Sequence, residues 1–225
     1  MIADADSFFW WQWVVDRQAT VRDAVLAHIQ QTLIAVVVGF ALSIVLAAIA
    51  LRWNWTVRPI TWTTALIYTI PSLALFTVLI PITGLTLLTA EIALVGYTLL
   101  NLVPTIIAGL QNVPADALDA ADGMGMNRRR RFLTVELPLA APQIIAGLRI
   151  ATVSTVGLVT ISSFVALGGG VGRFITDGRA RDFSTPIVLG VGLSILLAVA
   201  FDLVFVAAEH WATPWVRSRD GGRRG

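Results

Sequence analysis

The chain has 225 residues, is 56% hydrophobic and 13% charged, and carries a formal net charge of +2 with a mean hydropathy of +0.79. Ordinary soluble domains are about 25% charged, so this much apolar surface in so short a chain argues against a water-soluble core and points to lipid as the solvent. Cysteine is absent, which excludes a disulfide framework, a thiolate zinc site and a cysteine nucleophile.

The N-terminal segment, residues 1–26, is acidic at its start and lacks the positive region of a cleavable signal peptide. It is expected to lie at or outside the membrane surface. Charged residues then bracket a series of apolar runs. Residues 29–51 carry no charge, and neither do 59–90, 92–115, 150–172 or 183–201. About 20 helical residues cross a hydrocarbon core about 30 Å thick. The runs therefore predict five spans, near 27–51, 61–80, 88–110, 142–167 and 184–208. The second run holds one helix plus a turn, with Pro81 and Gly84 marking the turn. The transmembrane domain covers 27–208, interrupted by a loop at 112–138, and an arginine-rich tail fills 209–225. No linker, low-complexity tract or internal repeat is evident.

All 16 basic residues are arginine. The sequence pI near 9.9 could suggest nucleic acid, but in a membrane chain arginine sets orientation. With five spans, one side holds Arg52, Arg58, Arg128 to Arg131, Arg217, Arg219, Arg223 and Arg224. The other holds Arg17, Arg22, Arg173, Arg179 and Arg181. The richer side is expected to be the cytoplasm of a bacterium, so the N-terminus is outside and the C-terminus inside. All eight tryptophans fall near span boundaries, as an aromatic belt requires. His28 and His210, at the ends of apolar runs, read as interfacial polar residues rather than metal ligands.

The interruption, "DALDAADGMGMNRRRRFLTVELP" (116–138), is the most informative stretch. Pro114 and Asp116 suit a helix N-terminus. Residues 115–122 are alanine-rich and helix-competent. Gly123 and Gly125 end that helix. Asn127 caps a second short helix running to about Glu136, which Pro138 and Pro142 stop. The expected product is a helix-turn-helix at the cytoplasmic face, with Ala117, Ala120 and Ala121 on its surface permitting close approach by a partner.

This stretch resembles the cytoplasmic signature of ABC-importer permeases: Glu-Ala-Ala, any three residues, Gly, any nine, Ile, any one, Leu-Pro. The chain has Asp119-Ala120-Ala121, then Gly125, Val135 and Leu137-Pro138, at the same spacings. Asp stands for Glu and Val for Ile. The resemblance implies an all-α, five-span type I importer fold. It also implies that Asp119, Ala120, Ala121, Gly123, Gly125, Val135, Leu137 and Pro138 belong to an element that docks into a cleft on a separate ATPase. Further stretches, "TIPSLALFTVLIP" (69–81), residues 122–149 and "FVALGGGVGRFITDG" (164–178), resemble permeases of the osmoprotectant class, importers of glycine betaine, carnitine, choline and related quaternary amines. The resemblance covers about residues 25–208. An amino-acid importer, for methionine for example, is the alternative.

Other readings are weaker. Asp119 to Gly123 matches the start of the metal motif of membrane alcohol-phosphatidyltransferases, but Met126 and Asn127 replace the Ala and Arg that should follow. Gly168 to Gly172 lacks the lysine of a phosphate loop and reads as a flexible turn, perched on the outer side near substrate entry. Lysine is absent from the chain, so the Walker-A lysine must come from another polypeptide. No cofactor, metal or catalytic residue is expected; ATP would be bound by a partner ATPase dimer. Five helices need a second permease, identical or related, to enclose a pathway. The resemblance adds an extracytoplasmic binding protein. Arg149 and Asp202 lie at similar depth, either as an ion pair or each reaching separately to the interface. Glu91 is explained by a favourable helix N-terminus.

Overall fold

The charge-free runs are helices long enough to satisfy their own backbone in lipid. The computed structural model describes residues 8–212, and these are all helix, turn and loop, with no strand. The arginine-rich end of the tail, with Trp215, lies outside them. A short helix α1 (Trp11–Val15) precedes α2 (Gln18–Arg52), which starts well before the expected span. Helices α3 (Val57–Thr69) and α4 (Ser72–Thr83) follow, then α5 (Leu87–Gln111), α6 (Ala115–Gly123), α7 (Arg128–Arg131), α8 (Leu137–Ser162), α9 (Gly172–Ala180) and α10 (Ser184–Ala212). Among the described residues four helices are long and apolar enough to cross a membrane, and the α3–α4 pair occupies the place expected for the second span.

That second span departs from expectation. It is not one helix but two, broken at Ile70–Pro71. Pro81 lies inside α4, and the turn into α5 is made by Gly84, whose φ is +79°. Proline at 71 lacks the N–H that would bond the Ile67 carbonyl one turn back. The Ile70 carbonyl, left by the break without a donor from the next turn, accepts from the Tyr97 hydroxyl at 2.5 Å.

Helix α5 is the centre of the bundle and packs against α2, α3, α4 and α8. Small residues let the backbones approach. Gly39 of α2 leaves no room for a Cβ against Thr98, and a Cβ at Gly147 of α8 would sit 2.6 Å from Thr105. Ala47, Ala50, Leu102, Ile106 and Ala140 form the core toward one end; Ala35, Phe76, Ala90, Leu94 and Leu167 form it toward the other. Helix α10 packs on α8 and α9. Helix α1 is held at that end: the Trp10 N–H donates to Thr185 Oγ1 at 2.8 Å, and Trp13 stands edge-on to Phe174 and Phe183. Trp11, Trp53, Trp55, Trp62 and Trp211 project outward.

The glycine run is a packed loop rather than a flexible turn. Leu167 and Val171 are fully buried. His28, also fully buried, accepts the Val171 N–H at Nδ1 (3.3 Å), so its proton sits on Nε2, which faces the Val156 carbonyl at 3.1 Å. His28 therefore ties α2, α8 and the loop together and is not an interfacial residue. A Cβ at Gly168 would strike Gln31, and one at Gly170 would strike His28, so close packing is what those glycines permit. Glu91 also differs from expectation. It lies beyond the first turn of α5, is 9% exposed, and neither carboxylate oxygen has a hydrogen-bond partner among the described residues.

Candidate functional site

The charged interruption folds as a capped helix, a tight turn and a second helical segment. Pro114 caps α6, and Asp116 sits in its first turn. At the far end the Met126 N–H bonds the Ala121 carbonyl (3.2 Å) and the Gly125 N–H bonds Asp122 (2.9 Å), with Gly125 at φ +72°. This is the Schellman closure, in which a left-handed residue after the helix recovers its last carbonyls. The Asn127 side chain then accepts the Arg130 N–H at 2.9 Å and starts α7. The second helix is not stopped by Pro138 and Pro142. A π-helical turn at 132–136 leads directly into α8, with Pro138 in its first turn and Pro142 inside it. The wider turn makes room for the Pro138 ring, which in a regular helix would meet the carbonyl of Thr134.

Arg131 holds the two halves together. Its guanidinium bonds both oxygens of Asp122 at 2.8 and 2.6 Å and Glu136 at 2.9 Å. The contact links residues nine apart and could be suspected from the sequence only as opposite charges in one loop. Arg128, Arg129 and Arg130 remain exposed.

The signature residues divide into two groups. Asp119, Ala120, Gly123 and Gly125 are exposed on α6 and its turn, joined by Met124, 68% exposed, which sequence reasoning did not single out. Val135 and Pro138 are half-buried where the segment joins α8, and Leu137 is at the edge of exposure. Ala121 is 1% exposed. It packs inward and does not offer a surface to a partner, contrary to expectation. A short helix packed on one side against the segment that follows it must bury one stripe, and Ala121 lies on it.

Arg149 and Asp202 meet in a bidentate pair, with Nε to Oδ1 at 2.5 Å and Nη2 to Oδ2 at 2.8 Å, joining α8 to α10. Halfway along the bundle, a cavity of about 500 Å³ opens at the α3–α4 break. Ser72, Tyr97, Asn101, Ser154 and Thr155 line it, with Gly157, and no ionised side chain does. Pro104 removes the helical partner of the Leu100 carbonyl, and Leu100 faces the same cavity.

The fold and the segment define a membrane permease of the importer type. Residues 39–213 match the family described as binding-protein-dependent transport system inner membrane component, and the chain belongs to that family. It is 34% identical over 187 residues to the choline transport system permease protein OpuBB of Bacillus subtilis, covering 83% of this chain and 86% of that one. It is 31% identical over the same coverage to the Bacillus subtilis glycine betaine/carnitine/choline transport system permease protein OpuCB. Its fold is similar to that of the MetNI methionine ABC transporter in an inward-facing conformation, with a TM-score of 0.77 at 17% identity, over 88% of this chain and 98% of that chain. The chain is thus a permease subunit of an ABC importer, and its relatives are transport proteins rather than enzymes.

The ion pair is testable by charge exchange. An unpaired charge within the membrane is costly. Arg149→Ala and Asp202→Ala should each lower the thermal midpoint of the purified permease, and Arg149→Asp/Asp202→Arg should recover most of the loss. A double variant no better than the two single losses added together would show that the groups act independently.

Proposed function

We propose that this subunit imports osmoprotectants of the quaternary-amine class: glycine betaine, carnitine, choline or related compounds. The observation that carries the substrate class is the 31–34% identity, over 83% of the chain, to permeases named for those compounds. The amino-acid alternative rests on likeness of fold at 17% identity. The uncharged cavity at the α3–α4 break suits passage, because a transport site must bind weakly enough to release. Cells lacking the permease should lose binding-protein-dependent uptake of labelled glycine betaine, carnitine or choline at high osmolarity. Unchanged uptake of all three together with loss of methionine uptake would favour the alternative.

The working assembly is two permeases, identical or related, on a separate ATPase pair, supplied by an extracytoplasmic binding protein. ATP binding closes the ATPases, the docked α6 moves with them, and the helices reopen toward the other side. The chain has no lysine for a Walker-A loop, which supports hydrolysis by a partner. The coupling end faces the cytoplasm of a bacterial cell, with the N-terminus outside and the C-terminus inside; the arginine asymmetry supports this. A reporter active only outside the cytoplasm should be silent when fused after Arg219 and active after Gly170, and the opposite pattern would reverse the topology.

The exposed face of α6, with Asp119, Ala120, Met124 and Gly125, is the docking surface. Nothing lies within 4 Å of a Cβ built on Gly125. A side chain there meets only the left-handed strain, about 1–2 kcal/mol, and Asp tolerates that region better than most residues. Gly125→Asp should therefore insert and fold, yet abolish transport and weaken co-purification of the ATPase, because its bulk and charge fall on the partner. Normal ATPase binding with normal uptake would remove this face as the coupling surface.

A further inference from the structure

A groove of about 770 Å³ lies at the coupling end, between α2, α5 and the segment from Arg128 to Ile144. Its floor is apolar. Phe40, Ile44, Ala47, Ala48 and Leu51 form a stripe along one face of α2. Ile44, Phe132 and Leu137 on its walls are exposed. Its mouth carries Arg52, Arg128, Arg129 and Arg131, with Glu136 the one carboxylate. Arg131 is already taken up by Asp122 and Glu136. Among the described residues no carboxylate forms an ion pair with Arg52, Arg128 or Arg129. The groove thus presents a long apolar wall beneath three uncompensated guanidinium groups.

We propose that this groove binds a phospholipid with an anionic headgroup, drawn from the leaflet at the coupling end, with an acyl chain along α2 and its phosphate on Arg52, Arg128 and Arg129. Two features select this occupant. The stripe from Phe40 to Leu51 is about 16 Å long at the helical rise, close to half of a hydrocarbon core about 30 Å thick. It has the depth of one leaflet, whereas a partner's transmembrane helix would need a wall of full depth. The three arginines stand where that leaflet's headgroups lie, and guanidinium recognises phosphate through paired hydrogen bonds. A basic pocket between helices at the membrane surface is a physically sound headgroup site. The site depends on membrane insertion alone and is independent of the solute carried.

Native mass spectrometry of the full-length permease, purified with its ATPase from nanodiscs of equal phosphatidylglycerol and phosphatidylcholine, tests this. The wild type should retain phosphatidylglycerol over phosphatidylcholine by about a hundredfold, each of the three arginines contributing about fivefold. Arg52→Gln/Arg128→Gln/Arg129→Gln should erase that preference. Ala48→Trp keeps all three charges but fills the stripe, so it should lose the bound lipid of either class. Arg58→Gln, outside the groove, should behave as the wild type. Equal retention of both lipids by the wild type overturns the proposal, as does undiminished phosphatidylglycerol on both groove variants. A photocrosslinker at position 48 that captures a segment of the second permease or of the ATPase, instead of lipid, also overturns it.

Discussion

No water reaches the hydrocarbon interior, so a backbone there leaves the helix only where something else satisfies its polar groups. The structure meets this constraint at two of its irregular points. At Ile70–Pro71 the Tyr97 hydroxyl donates to the Ile70 carbonyl that the break leaves open. At the turn after α8, the Ser162 hydroxyl donates to the Leu167 carbonyl at 3.0 Å and His28 takes the Val171 N–H. Tyr97, Ser162 and His28 make up this replacement set. They allow the chain to break a helix inside the membrane and leave a cavity beside the break without exposing bare amide groups to lipid.

Charge follows a related logic at the end that carries α6 and α7. Four consecutive arginines look interchangeable in sequence, yet they have different roles. Arg131 turns inward and closes the segment on Asp122 and Glu136. Its neighbours point outward and leave that end strongly positive. Helix α6 carries its carboxylate Asp119 on the open face, while Ala121 fills the inner one. The segment is therefore closed on the side where α6 meets α7 and the π turn, and polar on the side facing away.

The bundle was legible because charge-free runs of about 20 residues admit few structures in lipid. The signature spacing singled out the segment at 112–138, and its glycine and asparagine marked the cap positions. Three features escaped because they depend on distant partners. Pro71, Pro81 and Gly84 give the same local signal, and the partner that satisfies the opened helix at Ile70 is Tyr97, 27 residues further on. Pro138 reads as a stop unless the preceding turn widens, which no composition announces. His28 reads as interfacial until Val156 and Val171, 128 and 143 residues away, are brought against it. The inward face of α6 escaped for a simpler reason: in a helix of nine residues, alanines surround most of the axis and do not reveal which side meets the bundle.

The passage through Pro138 without a break has a mechanical consequence. Helix runs without interruption from Arg128 to Val165, 38 residues, through the π-helical turn. At the helical rise that is a rod of about 57 Å, longer than the bilayer is thick. A rod rooted in the segment at 112–138 and ending beside the glycine loop has the geometry of a lever. Tilting its foot moves its far end by a proportionate arc, with no intermediate element to refold. Its compliant stretch runs from the π turn to Pro142, where the hydrogen-bond ladder is first widened and then loses a bond. Stiffness on either side of that stretch sets how much of a displacement at one membrane face arrives at the other.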